Sequence, residues 1–281
     1  METLKNGLYI VSTPIGNLDD ISFRVKMVLN SVNFIICENP KHSLKLLNKL
    51  DIKKKLFSLH DYNESQLITR IEKYQYNSAI ALISDAGSPL ISDPGYNLIQ
   101  DYIKKKLYVT TIPGPSSIIS SLQLSGLPIN NFEFFGFVSK NKSSMNSQAK
   151  KLQNVITTSV FFISGNRLIN FLKILLDAKI NRKIAVCKEL TKKNEWVFRG
   201  YIKKIIDEIN IDKSNLKGEF TLLIQGKERK TKITIQTTTE AQIKKLLKKF
   251  SLTEVVEIVH KLTNISKKDI YSMALKLKKN D

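Results

Sequence analysis

The chain of 281 residues is 42% hydrophobic and 25% charged, which is typical of a globular protein of about two domains and excludes disordered and collagen-like chains. Its apolar runs, such as 160–163, fall far short of the roughly 18 residues that a membrane span needs, and its first residues lack the apolar core of a secretory signal. We therefore expect a cytoplasmic protein. With only Cys37, Cys187 and three histidines, we expect neither a disulfide framework nor a metal site.

The net charge of +20 is unevenly distributed along the chain. Residues 1–115 hold 14 basic and 11 acidic side chains, residues 116–235 hold 21 and 9, and residues 236–281 hold 10 and 5. These ranges are the predicted domains: an N-terminal α/β domain, a strongly basic second α/β domain and a helical C-terminal tail. The positive charge of the second domain indicates an anionic partner such as nucleic acid. A lysine-rich composition bias is the alternative explanation.

Three apolar, β-branched runs in the N-terminal domain predict strands at 8–12, 79–84 and 108–112. Each run is followed by a turn rich in proline and glycine and then by a helical pattern, so the strands are expected to form a parallel sheet. Ligands of open α/β sheets bind beyond the carboxyl ends of the strands. Because all three turns follow strands, we predict that they form three backbone walls of one pocket. Ordinary tight turns are the alternative.

Two helix starts are also predicted from these turns. After the second strand, Asp93 has the chemistry of an N-cap and Pro94 that of a first helical residue. After the third strand, Gly114 and Pro115 are expected in the same two roles.

The second domain has four further strand-like segments, at 132–138, 159–164, 183–190 and 219–225. Between the first two, residues 139–151 contain four lysines and no acidic residue. This composition predicts a mobile basic loop suited to phosphate contacts, with a plain solvated loop as the alternative.

A threonine-rich connector is predicted at 231–239, followed by helices. Ser251 with Glu254, and Ser266 with Asp269, have the spacing of N-terminal capping boxes. Apolar residues recur at helical spacing between them, which is typical of packing helices. Nucleic-acid binding by a helix-turn-helix arrangement is the alternative.

The positions of the eleven glycines exclude the common nucleotide and hydrolase motifs. No two glycines lie two, four or five positions apart. The GxGxxG fingerprint, the GxSxG nucleophile elbow and the Walker A loop are therefore all missing from the sequence.

Several longer segments resemble a known family. LYIVSTPIGNLDDIS, ALISDAGSPLISDPGY, PGPSSIISSLQLSGLP with EFFGFV, and GEFTLLIQG are similar to signature segments of the ribosomal RNA small subunit methyltransferase I family, within the tetrapyrrole methylase superfamily. The similarity extends from residue 8 to the final helices. The combination of TPIGNL with SDAGSP is specific to this branch of the superfamily.

The resemblance implies a fold and an activity. The fold class is α/β, with two α/β domains of the tetrapyrrole methylase type, S-adenosylmethionine in the cleft between them, and a small C-terminal helical tail. The implied reaction is 2′-O-methylation of a cytidine in the decoding region of 16S rRNA, by a homodimer. Two alternatives stay open: a methyltransferase acting on a small tetrapyrrole, and a non-catalytic RNA-binding protein.

With this resemblance, the three turns are assigned to the cofactor. The predicted cofactor-binding residues are Pro14, Ile15, Gly16, Asn17, Ser84, Asp85, Ala86, Gly87, Ser88, Pro89, Pro113, Gly114, Pro115 and Ser116. Asp85 is expected to accept hydrogen bonds from a ligand, and capping of its own turn is the alternative.

Candidate bases for the ribose hydroxyl are Glu38, His42 and Asp85, with Glu189 as a further candidate. The family more often has an acidic residue where Asn39 stands, and a glutamate where Ile163 stands. The predicted substrate and RNA contacts are Lys41, His60, Asn63, Lys140, Lys142, Arg167 and Lys192. Trp196 is interpreted as part of an edge strand, with stacking on a flipped base as the alternative.

Overall fold

The computed structural model describes residues 4–211, 216–228, 233–263 and 265–279. The chain divides into two compact units, Met1–Lys227 and Glu228–Asp281. The first unit contains two five-stranded sheets and the second contains helices. The described residues include no helix with the length and apolar character that a membrane crossing requires.

The first sheet is entirely parallel and has the strand order β3-β2-β4-β1-β5. Its strands are β1 (Gly7–Val11), β2 (Phe34–Cys37), β3 (Lys55–Ser58), β4 (Ala79–Ile83) and β5 (Val109–Ile112). The helices that accompany it are α1 (Phe23–Ser31), α2 (Pro40–Lys49), α3 (Glu64–Gln75) and α4 (Tyr96–Lys104), with a short 3-10 helix at Leu18–Asp20. Apolar clusters cover both faces, and the central strand β4 is buried throughout, as expected for a parallel sheet covered on both sides.

The second sheet is mixed and has the strand order β6-β7-β10-β8-β9. Its strands are β6 (Phe132–Phe137), β7 (Thr158–Ser164), β8 (Lys183–Lys188), β9 (Trp196–Tyr201) and β10 (Glu219–Ile224). Only the β6–β7 pair is parallel. One face packs against α6 (Lys142–Leu152), α7 (Gly165–Asp177) and α8 (Ile202–Ile211), and the other against α5 (Ser117–Ser125). The interpretation of Trp196 as an edge-strand residue is confirmed, because β9 lies at the edge of the sheet.

The helical unit consists of α9 (Ile233–Leu247), α10 (Leu252–Leu262) and α11 (Lys267–Lys279) around a small apolar cluster. The first predicted capping box is present, with the Ser251 hydroxyl and the Glu254 carboxylate each accepting from the other's backbone N–H. At the second, the N–H of Asp269 donates to the Ser266 hydroxyl at 3.2 Å. The division of the chain at residues 115 and 235 stays a prediction.

Both predicted helix starts in the first unit are wrong. Helix α4 begins at Tyr96 with Gly95 as its N-cap, and α5 begins at Ser117 with Ser116 as its N-cap. At α4 the cap is supplied from elsewhere in the chain. The carboxylate of Glu64 accepts from the N–H of Leu98 at 2.8 Å, so the helix start does not need Asp93.

The predicted basic loop at 139–151 is also wrong, because most of it forms α6. Asn141 caps this helix by accepting from the N–H of Ser144 at 2.8 Å. Met145, Ala149 and Leu152, spaced four and three residues apart, are buried against the second sheet. This apolar stripe stabilises a helix in spite of the polar composition.

The predicted connector at 231–239 is partly replaced by helix, because α9 begins at Ile233. Residues 231 and 232 lie outside the described residues, as do 229 and 230.

The Arg182 side chain binds the chain segment at the end of α6. Its guanidinium donates to the carbonyls of Leu152 at 2.8 Å, Gln153 at 3.0 Å and Val155 at 3.1 Å. Burial lowers the pKa of this side chain. We expect Arg182→Met to reduce the free energy of unfolding by about 2 kcal/mol, because the carbonyls lose a charged donor. Urea denaturation followed by circular dichroism measures this change.

Lys183→Met is the matched control, since Lys183 is adjacent and exposed. Its expected effect is within about 0.5 kcal/mol. Equal losses in the two variants would contradict the role given to the Arg182 hydrogen bonds.

Candidate functional site

The three proline- and glycine-containing turns lie together, because they follow β4, β1 and β5, which are neighbours in the first sheet. Backbone hydrogen bonds join two of them: the N–H of Thr13 donates to the carbonyl of Gly87 at 2.8 Å, and the reverse bond measures 3.1 Å. The third turn is in close contact, since a Cβ added at Gly114 would lie 2.9 Å from Ser12 Cβ. The turns therefore form one continuous backbone surface.

A cavity of about 470 Å³ lies between this surface and the second sheet, where strands β6, β7 and β8 end and β10 begins. Its volume is within the range of small-molecule sites. One side consists of the loops after the strands of the first sheet and the start of α5, and includes Ile15, Glu38, Asp85, Ala86, Gly87, Ser88, Ile91, Ser92, Asp93, Ser116, Ser117 and Ile118. The second sheet contributes Phe137, Phe162, Ile163, Ser164, Arg167, Cys187, Glu189, Leu190, Lys192, Gly218, Glu219, Phe220 and Thr221.

Six of the predicted cofactor-binding residues line the cavity: Ile15, Asp85, Ala86, Gly87, Ser88 and Ser116. The other eight support these turns without being part of the lining: Pro14, Gly16, Asn17, Ser84, Pro89, Pro113, Gly114 and Pro115. Gly87 has φ of +81°, a left-handed conformation that glycine adopts without strain. Its assignment to cofactor binding stays a prediction.

Gly16 and Asn17 contact the loop after β8. A Cβ added at Gly16 would lie 2.5 Å from Lys192 Cγ and 2.7 Å from Thr191 Oγ1. The N–H of Asn17 donates to Thr191 Oγ1 at 3.0 Å. The close approach that requires glycine at position 16 is therefore made by the protein itself, and this turn connects the two sides of the cavity.

Three carboxylates line the same side of the cavity: Glu38, Asp85 and Asp93. Burial, and then the charge of Asp85, raise the pKa of Glu38, and the backbone of Asp85 acts in the opposite direction. Burial, and then the charge of Glu38, raise the pKa of Asp93 to about 6, against the effect of a hydrogen bond from the Ser84 hydroxyl. Sequence reasoning assigned Asp93 to a helix cap and missed its place in the cavity.

One carboxylate oxygen of Asp85 is buried without a partner. Oδ1 of Asp85 is inaccessible to solvent and has no hydrogen bond within the described residues. An unpaired buried acceptor is costly, so such a group in a cavity is typical of a position that binds a donor from a ligand.

The opposite side of the cavity carries two basic side chains. Arg167 donates from Nε to Ser164 Oγ at 2.8 Å and from Nη1 to the carbonyl of Val138 at 2.5 Å, which orients its guanidinium at the cavity wall. Lys192 pairs with Glu189 at 3.2 Å and with Glu219 at 2.7 Å. Among the described residues, Arg167 forms no salt bridge, so its charge is not neutralised by a neighbouring carboxylate.

Glu189, a further candidate base, belongs to this pairing. Its carboxylate accepts from the N–H of Glu219 at 2.7 Å as well as from Lys192. Its backbone has φ of +48°, and that of Thr191 has φ of +63°, a conformation rare for a β-branched residue. The loop after β8 is therefore held in a specific shape by its own contacts.

The other predicted site residues do not line the cavity: Lys41, His42, His60, Asn63, Lys140 and Lys142. Asn63 is used within its own turn, accepting from the N–H of His60 at 2.8 Å and donating to the carbonyl of Ser58 at 3.0 Å. Lys140 and Lys142 are exposed at the start of α6. No His, Cys, Asp and Glu cluster able to hold a metal ion occurs in the described ranges.

Comparison with known proteins identifies the family. The model for tetrapyrrole (corrin/porphyrin) methylases matches residues 7–206. Ribosomal RNA small subunit methyltransferase I of Rickettsia prowazekii is 39% identical, covering 98% of each chain. The protein of the same name from Thermotoga maritima is 38% identical over 79% of this chain and 99% of its own.

The fold has a solved relative. The crystal structure of uroporphyrin-III-C-methyltransferase from Thermus thermophilus superposes with a TM-score of 0.55 and 15% identity, covering 79% of this chain and 94% of that one. The two predicted α/β halves and the helical tail are thus confirmed as the fold class. The 39% identical relative and the match to the family model show that the chain belongs to the ribosomal RNA small subunit methyltransferase I family of tetrapyrrole methylases.

Proposed function

We propose that this protein transfers a methyl group from S-adenosylmethionine to the 2′-oxygen of a cytidine ribose in the decoding region of 16S rRNA. The observation that carries the proposal is a single cavity with an unpaired carboxylate oxygen on one side, at Asp85, and a cation on the other, at Arg167. The names of the relatives support a ribosomal RNA substrate. Such an enzyme would work in the cytoplasm, and the resemblance favours a homodimer.

The side of the cavity formed by the loops of the first sheet, here called the first wall, has a chemistry that fits S-adenosylmethionine. This cofactor carries an amino group and a ribose diol, which could donate to Asp85 Oδ1, an atom without a donor among the described residues. The Ser88 and Ser116 hydroxyls and the backbone at Gly87 offer further polar groups on the same wall. When bound, the cofactor supplies a methyl group that its sulfonium charge already activates.

The opposite side, formed by the second sheet and its loops and here called the second wall, fits a nucleotide of RNA. Arg167 is held by Ser164 and the carbonyl of Val138, so its guanidinium is oriented before a phosphate arrives. Residues 116–235 carry 21 basic and 9 acidic side chains, which favours approach of a polyanion. We propose that Arg167 binds a phosphate next to the methylated ribose.

Positioning accounts for much of the proposed catalysis. The hydrogen bonds between the turns after β1 and β4, and the close contact of the turn after β5 with Ser12, hold the cofactor wall rigid, and the second sheet presents the ribose to it. Fixing two reactants in line lowers the barrier by several kcal/mol, roughly 7–11 in well-oriented cases. The apolar side chains of Ile15, Phe137 and Phe162 limit water in the cavity.

A transfer assay with two acceptors tests the proposal. We expect labelled methyl groups to pass from S-adenosylmethionine to small ribosomal subunits that lack the modification, and we expect none to pass to a tetrapyrrole such as uroporphyrinogen. RNA binding, measured by filter retention, is expected to fall at least about tenfold between about 50 and 200 mM salt, because phosphate contacts release counterions. Transfer to the tetrapyrrole instead, with RNA binding indifferent to salt, would contradict the proposal.

A further inference from the structure

Asp93 stands at the cavity without any role in the helix that follows it. Helix α4 takes Gly95 as its N-cap, and the carboxylate of Glu64 accepts from the N–H of Leu98, so capping needs nothing from Asp93. The Asp93 side chain lines the cavity instead. An acidic side chain that lines a ligand site and does not cap the neighbouring helix is a candidate catalytic residue.

The backbone that carries Asp93 is strained. Leu90 has φ of +75° and Ser92 has φ of +71°, and neither is a glycine. Pro94 follows directly and fixes its own φ. Left-handed conformations in residues such as leucine cost free energy and persist where surrounding contacts impose them, often at active sites. This loop therefore presents Asp93 to the cavity in a defined place.

The groups around Asp93 set its proton affinity. Glu38 at the end of β2 and Asp85 at the end of β4 both act on it through their negative charges, and the Ser84 hydroxyl hydrogen-bonds to it. The charged side chains that line the opposite wall are Arg167, Glu189, Lys192 and Glu219. Of these four, Lys192 forms ion pairs with both Glu189 and Glu219. Burial and the neighbouring carboxylates raise the pKa of Asp93 to about 6, which is suited to a base working near neutral pH.

We propose that Asp93 is the catalytic base that accepts the proton of the ribose 2′-hydroxyl, a role that rests on the proposed function. The 2′ O–H bond breaks and its proton moves to the Asp93 carboxylate. The freed electron pair of the ribose oxygen forms the new bond to the methyl carbon. The bond from that carbon to sulfur breaks, and its pair stays on sulfur, leaving a neutral thioether.

Glu38 and Asp85 fit other tasks on the same wall. The Glu38 side chain interacts with the backbone of Asp85, which associates it with the turn after β4. Asp85 has its buried, unpaired oxygen in the turn that faces the cofactor. Asp93, the third carboxylate, is therefore the one that accepts the proton, and the negative charges of the other two keep its pKa raised.

Asp93→Asn tests the inference, because asparagine keeps the shape and loses the base. We expect single-turnover methyl transfer to small subunits to fall at least about 100-fold, the usual size of a general-base effect. The dissociation constant for S-adenosylmethionine, measured by calorimetry, is expected to change less than threefold, on the order of experimental scatter in such variants. The wild-type rate is expected to rise with pH through about 6 and then level off, and the remaining rate of the variant to lack this step.

A stability measurement checks the protonation independently of activity. Since the folded-state pKa of Asp93 is raised above its ordinary value of 3.8, ionisation of this group weakens the folded state as pH rises from about 4 to about 6, and the loss then stays constant. Asp93→Asn is therefore expected to melt at a higher temperature than wild type at about pH 8, with the difference vanishing near pH 4. Equal melting temperatures at about pH 8 would contradict the assigned proton affinity.

Asp177→Asn is the matched control, since Asp177 is exposed at the end of α7, lies outside the cavity lining and carries the same charge. Its rate and pH profile are expected to match wild type. An Asp93→Asn rate within about threefold of wild type with the same pH step, or a large loss of cofactor affinity in that variant, would overturn the inference. A wild-type enzyme that methylates no ribosomal RNA would instead refute the proposed function.

Discussion

Gly87→Val is expected to abolish measurable binding of S-adenosylmethionine. Gly87 lines the cavity with φ of +81°, and an added Cβ would lie 3.2 Å from Ile15 Cγ2, another cavity residue. Valine disfavours this backbone conformation strongly, and its two methyl groups would fill space beside the turns. We expect the dissociation constant to rise at least about 100-fold, roughly 2.7 kcal/mol, measured by calorimetry.

Gly126→Val provides the matched control for this variant. Gly126 ends α5 with φ of +67°, a similar left-handed conformation, but an added Cβ there meets no atom within 4 Å. The control therefore carries comparable backbone strain outside the cavity. We expect both variants to lose stability and only Gly87→Val to lose cofactor binding. An unchanged dissociation constant in folded Gly87→Val would contradict the assignment of cofactor binding to this turn.

Arg167→Met is expected to lower kcat/KM for small ribosomal subunits by about 100-fold, because a charged hydrogen bond to phosphate contributes about 2–3 kcal/mol in a desolvated site. The affinity for S-adenosylmethionine is expected to stay within a few-fold of wild type, since Arg167 lies on the wall across from the turns. The salt dependence of RNA binding should also become shallower by about one phosphate contact.

Arg199→Met separates this effect from the loss of an arginine in general. Arg199 likewise donates to a backbone carbonyl, that of Leu124 at 2.8 Å, but it does not line the cavity. We expect its kcat/KM to be close to that of wild type. Equal losses in the two arginine variants, or a loss of cofactor affinity confined to Arg167→Met, would contradict the assignment of Arg167 to RNA.

The chemistry of the three turns made much of the first wall predictable from sequence. Proline and glycine punctuate the chain where a strand ends, and in a parallel sheet such ends share one edge. The segments 84–89 and 113–116 lie beside the turn after β1, as predicted, because β4, β1 and β5 are neighbours in the sheet. The short strands β2 and β3 are not predicted, because no turn rich in proline and glycine follows them, as one follows the equally short β5.

Long-range contacts explain what sequence reasoning missed. The cap of α4 comes from Glu64, 34 positions before the N–H of Leu98 that it accepts, and nothing near Asp93 indicates this. The close contact that requires Gly16 comes from Thr191 and Lys192, in the other half of the unit. A clue to Asp93 did exist: it is an acidic residue in the same proline- and glycine-rich segment as Asp85.

The second wall was predicted only in part. Arg167 was identified through the resemblance, and it lines the cavity as such a role requires. Lys140 and Lys142 were selected for their place in a lysine-rich segment, yet this segment forms α6 and leaves both outside the cavity lining. Local charge predicts a surface, whereas the cavity depends on how β6, β7, β8 and β10 are arranged, which is a tertiary property.

The most direct test of the proposed activity is the identity of the methylated nucleoside. Small ribosomal subunits lacking the modification are incubated with the protein and labelled S-adenosylmethionine, and their rRNA fragments and nucleosides are analysed by mass spectrometry. The proposal predicts a single new 2′-O-methylcytidine, in a fragment from the decoding region. A methyl group on a base or at another position would contradict it, as would absence of transfer to both subunits and naked rRNA by a protein that binds the cofactor.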